Sequence, residues 1–204
     1  MAELEELKAR VAELEKAKEA AKGPIRLDIG CGKTKQEGWV GIDVIAFDGV
    51  DHVMNAGTER WPFEDGSIDE AKASHFLEHL KPDERIHFVN ELFRVLKFGG
   101  KCQVIVPHWG STRAYGDMTH QWPPVVEFWF YYLNKEWRAV NAPHNDKYTC
   151  DFDSSWGYST HPMLNTRSQE FQQWALQFYR EAAQDLMAMI VKTERPKKEE
   201  VKAA

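Results

Sequence analysis

The sequence predicts an α/β fold built on a mostly parallel sheet, and three observations carry that reading. Short apolar runs bounded by glycine and polar turns recur through the first half of the chain. One long amphipathic segment separates two of them, as a crossover helix separates parallel strands. Leu27-Asp28-Ile29-Gly30-Cys31-Gly32 leads from a buried strand into a glycine turn, and Trp39-Val40-Gly41-Ile42-Asp43 follows as a strand ending in an acid.

Taken in order, residues 1–23 form an N-terminal charged amphipathic helix, with Leu4, Leu7, Val11 and Leu14 on one stripe and Gly23-Pro24 as its end. A helix packed on its own domain or frayed in solvent is favoured, with a homodimer contact as the alternative reading. Strands are expected over residues 25–29, 39–44, 52–54, 70–74 and 101–106. The long helix runs over 83–96, with Ile86, Val89, Leu92, Phe93 and Leu96 on one face. Lys81-Pro82 suits its start, and Gly99-Gly100 turns the chain into the fifth strand. The crossovers after strands one and three are abridged to loops. Residues 108–166 are irregular and aromatic, with a short helix over 124–133 and a strand over 149–160. Such a long connection is expected to carry function, as a substrate or lid insertion. A helix over 167–183 follows, with Phe171, Trp174, Ala175, Phe178 and Ala182 periodic, then a buried strand over 185–192. Residues 194–204 are rich in Lys and Glu and are expected to be disordered. Residues 24–193 thus make one domain.

Composition narrows the partners. The net charge of −6 argues against a broad nucleic-acid surface, because phosphate binding needs clustered Lys and Arg. The three cysteines are scattered, so reduced thiols in a cytoplasm are the plain reading. No apolar run has the length of a membrane span.

The glycine turn proposes a pocket for an adenosine-containing cofactor. Gly30 and Gly32 let backbone approach a ligand closely, and a carboxylate at Asp43 can accept from both hydroxyls of a ribose. A dinucleotide site would need a third glycine, but Lys33, Thr34 and Lys35 follow Gly32. Only ten residues separate Gly32 from Asp43, too few for a crossover helix and a strand. Asp28-x-Gly30-Cys31-Gly32 resembles motif I of class I S-adenosylmethionine (SAM) methyltransferases. The resemblance continues through residues 55–80, NAGTERWPFEDGSIDEAKASHFLEHL, and 92–107, LFRVLKFGGKCQVIVP. It implies a Rossmann-like sheet whose last strand, after the helix over 167–183, inserts antiparallel. It also implies that Asp28, Gly30, Cys31 and Gly32 hold the methionine part of SAM, that Asp43 holds the ribose, and that Asn55 and Ala56 meet the adenine. An asparagine at position 55 stands where the family usually has an acid; an Asx-turn is its bland role.

His75-Phe76-Leu77-Glu78-His79 has the H-x-x-E-H spacing of some zinc peptidases, but its place after the fourth strand disfavours a peptidase. Some class I O-methyltransferases, of ubiquinone biosynthesis and of small RNA, resemble this stretch with E-x-x-E-H and bind Mg²⁺. Here His75, Glu78 and His79, with His120 as a further ligand, form a candidate set for a divalent metal, and histidine suits a borderline ion better than Mg²⁺. Residues that pack and line the pocket without a metal are the favoured alternative. His75, His108 and His120 are the catalytic candidates, since imidazole is an apt base at neutral pH. Asp117, Trp109 and Trp122 are candidates for holding substrate. Asp117-Met118-Thr119-His120 resembles an Asp-Pro-Thr-His element of related sequences, with Met118 in place of the proline.

The expected activity is transfer of the SAM methyl group to an oxygen or nitrogen of a small molecule or glycan. The alternative is a catalytically silent module that binds SAM or S-adenosylhomocysteine (SAH) and recruits a partner through the N-terminal helix.

Overall fold

A computed structural model describes residue 1, residues 4–8, 10 and 11, and residues 23–193. The strands are β1 (Arg26–Ile29), β2 (Val40–Asp43), β3 (His52–Val53), β4 (Ile68–Ser74), β5 (Leu96–Pro107), β6 (Phe152–Thr160) and β7 (Ala183–Lys192). The helices are α1 (Pro82–Val95), α2 (Arg113–Gly116), α3 (Lys135–Asn141) and α4 (Gln169–Phe178). The seven strands form one sheet in the order β3-β2-β1-β4-β5-β7-β6. β1 to β5 are parallel, and β7 runs antiparallel between β5 and β6. This is the α/β class I methyltransferase sheet that the resemblance implies, with the antiparallel strand where expected.

The core lies on one face of the sheet. Leu27 and Ile29 of β1, Ile42 of β2, and Ala71 and Ala73 of β4 share that face and are fully buried, whereas Glu70, Lys72, Lys101 and Gln103 point the other way and stay partly or fully exposed. α1 covers one face with Phe88, Val89, Leu92 and Val95. Its inward stripe is therefore rotated from the expected one: Ile86 and Phe93 are only partly buried, and Phe88 and Val95 take the core positions.

The loops that replace the crossover helices after β1 and β3 keep their backbone groups satisfied through side chains, as buried peptide groups demand. Asp28 accepts from the Gln36 N–H at 2.9 Å in the loop after β1. Arg94 of α1 donates to the carbonyls of Trp61 and Phe63 and to the carboxylates of Asp65 and Glu91. Glu91 also accepts from the Trp61 N–H at 2.8 Å. Burial alone would raise the Glu91 carboxyl, but the Arg94 guanidinium and the Trp61 N–H outweigh it and hold it below the usual carboxylate range. A depressed folded-state pKa contributes stability above the unfolded-state value, lost as pH falls through the folded one. Wild type is therefore expected to lose stability below pH ~4, the ordinary glutamate value. Glu91→Gln should lose less over the same range. Urea midpoints measured across that range test this; equal pH dependence in the two proteins would refute the network's role.

Three expectations need correction. β5 begins at Leu96, so Gly99-Gly100 lies inside the strand rather than before it. The pairing jumps from Ile68↔Leu96 to Glu70↔Lys101, a bulge that Gly99 at φ +77° makes accessible. The helix expected over 167–183 shortens to α4, and Phe171, Trp174 and Phe178 are exposed, with only Ala175 of the helix buried. The short helix expected over 124–133 is a 3-10 segment, Glu127–Leu133. Residues 108–166 also contribute β6 to the sheet edge, so the segment is partly scaffold.

Residues 4–8, 10 and 11 are helical, and Leu4, Leu7 and Val11 are exposed. Leu14, the rest of the N-terminal helix and the tail over 194–204 lie outside the described residues. Among the described residues no helix is long and apolar enough to cross a membrane. The three cysteines are free and buried, and burial pushes each thiol up.

Candidate active site

A hollow of about 660 Å³ opens at the carboxyl ends of β1, β2 and β4, the edge where open α/β sheets bind ligands. Gly30, Asp43, Asn55, Ala56 and His75 of the expected residues line it. Gly30 has φ +68°, and a Cβ there would meet Phe76 Cδ2 at 2.5 Å, so only glycine fits this turn. The Asp43 carboxylate accepts from Gly32 N–H at 2.8 Å and Ile45 N–H at 2.9 Å. It thus shapes the glycine turn, and each oxygen keeps a lone pair for a ligand.

The other expected cofactor residues act at one remove. Asp28 is 3% exposed and lies outside the hollow's lining. Its Oδ2 meets Gln36 N–H and, at 3.0 Å, Lys72 Nζ. Cys31 and Gly32 also lie outside the lining, and Gly32 spends its N–H on Asp43. Asn55 lines the hollow while its Oδ1 accepts from Gly57 N–H at 2.9 Å. The Asx-turn and the pocket position therefore coexist. Sequence reasoning missed Ile45, Phe47 and Met54, which give the hollow an apolar wall. Their signal was faint: apolar residues in a loop with no period.

His75 sits immediately after β4 with φ +53°, a left-handed conformation that a non-glycine residue adopts at a cost. Its Nδ1–H donates to Glu78 Oε1 at 3.2 Å. Hydrogen bonding to Glu78 lifts the imidazolium above the usual histidine range, against the opposing effect of partial burial. The ring is thus a carboxylate-oriented base facing the hollow.

His108 is placed differently from expectation. It is 6% exposed and does not line the hollow. Its Nδ1 accepts from Gly110 N–H at 3.1 Å, so its Nε2–H donates to Glu127 Oε1, also at 3.1 Å. Burial alone would raise the Glu127 carboxyl, but His108, with Tyr158 as a further donor, holds it below the usual range. Both ring nitrogens are engaged, so His108 fixes the 3-10 segment to the end of β5.

The segment after β5 folds over the site. Arg85 of α1 is buried and donates to the carbonyls of Leu77, Gln121 and Pro123. Gln121 N–H in turn donates to Glu78 O at 2.7 Å. These bonds clamp the loop over 117–123 onto the 3-10 turn Leu77–His79. Glu78, His79 and His120 each then offer a ligand atom within 4.8 Å of the others'. His75 is not in this group, which corrects its place in the expected metal set. Asp117, His120 and Trp122 line a depression of about 180 Å³. Trp109 and Trp122 line an aromatic hollow of about 600 Å³. Gln121 is shared by the depression and the hollow beside Gly30 and Asp43, and Trp122 by the depression and the aromatic hollow.

Residues 27–104, from β1 into β5, match the family model of the methyltransferase domain. No curated protein matches the chain in sequence. Among solved structures, a SAM-dependent methyltransferase from Archaeoglobus fulgidus is similar at a TM-score of 0.59 and 21% identity, over 91% of this chain and 94% of that one. A SAM-dependent methyltransferase from Methanosarcina mazei aligns at 0.51 and 17%, over 83% and 92%. The 1,6-didemethyltoxoflavin-N1-methyltransferase of Burkholderia thailandensis, solved with its acceptor and SAH, aligns at 0.52 and 13%, over 86% and 74%. At these identities the likeness is one of fold.

Proposed function

We propose that this chain is a class I SAM-dependent methyltransferase that carries the SAM methyl group to an oxygen or nitrogen of a small molecule or glycan, a reading supported by its strand order and by the match of residues 27–104. The observation that carries the reading is the hollow itself. Gly30, Asp43 and His75 all line it, with Glu78 hydrogen-bonded behind the His75 ring. Asp43 takes the ribose hydroxyls, and Gly30 lets the methionine part lie close. The apolar wall of Ile45 and Met54 receives the adenine.

Methyl transfer is an in-line displacement at a sulfonium, so alignment of nucleophile and methyl carbon supplies most of the rate. His75 takes the proton when the nucleophile is a hydroxyl, with Glu78 holding the ring. The acceptor's reacting end enters near Thr119 and Gln121, and its body lies towards Trp109 and Trp122. Flat apolar or sugar rings stack well on such indoles. A net charge of −6 favours such acceptors over nucleic acid.

A second reading, a silent SAH-binding module that recruits a partner, rests on the exposed stripe of Leu4, Leu7 and Val11. Labelled SAM offered with panels of small hydroxylated and aminated molecules and glycans separates the two. Transfer to a panel member is expected. SAH binding with no transfer across the panels would favour the silent module.

A further inference from the structure

We infer that Glu78, His79 and His120 form a binding site for one borderline divalent cation, Zn²⁺ first, on the wall between the cofactor hollow and the depression beside it. The inference is read from the side chains and does not depend on which group the protein transfers.

The hydrogen-bond partners fix both imidazoles in a ligating state. Thr119 Oγ1–H donates to Asp117 Oδ1 at 2.7 Å, so its oxygen must accept from His79 Nδ1–H, 2.9 Å away. His120 Nδ1 lies 3.1 Å from the Ala114 carbonyl, which can only accept. In its neutral form each ring therefore carries its proton on Nδ1 and leaves the lone pair on Nε2, which in His120 lies 4.0 Å from Asp117 Oδ2. The two rings pack edge to face, with centroids 4.9 Å apart.

Glu78 supplies the independent observation. It is 5% exposed, and its Oε2 is buried with no hydrogen-bond partner among the described residues. Its Oε1 is taken by His75. The nearby Arg85 guanidinium gives its hydrogen bonds to carbonyls instead. A buried carboxylate oxygen left bare is costly, and a cation is one partner that removes the cost.

The outer contacts match those of a metal centre. Asp117 and Thr119 stand behind His79, a backbone carbonyl behind His120, and His75 behind Glu78. Such partners orient metal ligands and fix their tautomers. Two imidazoles and one carboxylate suit Zn²⁺, whose ligand atoms at ~2.1 Å in a tetrahedron lie ~3.4 Å apart. A ligand atom of each of the three residues lies within 4.8 Å of the others', wider than that tetrahedral edge, so the side chains draw in when the ion binds. Mg²⁺ prefers oxygen and fits poorly. His79 lines the cofactor hollow and His120 the depression, so a fourth position can take water or an acceptor oxygen.

The test is a titration of Zn²⁺, and of Co²⁺ as an absorbing stand-in, into the chelator-treated full chain carrying no histidine tag. One ion per chain with tetrahedral Co²⁺ absorption is expected. His120→Ala and Glu78→Gln should weaken binding on the order of a hundredfold or more, while His75→Asn, which keeps the left-handed backbone and removes only an outer contact, should weaken it less. The thermal unfolding midpoint serves as the check on folding, and His120→Ala decides alone if Glu78→Gln fails it. No stoichiometric ion in wild type would overturn the site. So would unchanged affinity in His120→Ala.

Discussion

Asp43→Ala is expected to weaken SAH binding by on the order of a hundredfold to ten-thousandfold. Two ribose hydroxyls donating to one carboxylate make two charge-assisted bonds, each worth ~1.5–3 kcal/mol. Every ~1.4 kcal/mol is tenfold in Kd. The substitution also removes the acceptor for Gly32 and Ile45 N–H, so the turn loosens as the ligand contact is lost. Asp43→Asn keeps the shape and part of the accepting capacity, and should fall between the two. Calorimetric titration of SAH into the three proteins measures the effect. An affinity in Asp43→Ala within a few-fold of wild type would place the ribose elsewhere.

The second large effect is on chemistry. His75→Asn is expected to lower transfer to a hydroxyl acceptor by on the order of 10²–10⁴, the usual contribution of a positioned general base. SAH affinity should change little, because Asp43, Gly30 and the apolar wall are untouched. Asparagine is chosen because it tolerates the left-handed backbone that His75 adopts at φ +53°. The unfolding midpoint should then stay within a few degrees of wild type, which separates lost chemistry from lost fold. Transfer at the wild-type rate would remove His75 from the mechanism and leave alignment alone to carry it.

These two residues also mark what the sequence makes legible. The Gly30 turn and Asp43 lie close together in the chain, and the physics that links them is local: a tight turn, then a strand ending in an acid. The positions of the strands along the chain follow from similar local signals. Where partners are distant, the sequence is mute. His108 stands at a strand end that faces the cofactor edge in this architecture, yet Glu127 draws its ring into the interior. Arg85 looks like any exposed helix cation, and nothing local announces the carbonyls of Leu77, Gln121 and Pro123 that it holds. The periodicity of Phe171, Trp174 and Phe178 correctly signals a helix. It does not say that the apolar side is covered, and in the structure it is not. Gly99-Gly100 looks like a turn because glycine punctuates chains. The neighbouring strand overrides that reading by pairing across it.

The segment over 117–123 lies between these cases. Asp117 and His120 draw attention as a cluster of polar residues after β5. Their place against Glu78 and His79 depends on the Arg85 clamp, about forty residues away in the chain. That clamp makes one site from two segments, and it sets the depression beside the cofactor hollow.

The central claim is that the hollow beside Gly30 and Asp43 receives SAM. Its most direct test is calorimetric titration of the wild-type chain with SAH and, separately, with NAD⁺. The account predicts saturable binding of one SAH per chain and none of NAD⁺, whose pyrophosphate lacks the third glycine's close approach. Saturable NAD⁺ binding with no response to SAH would contradict it.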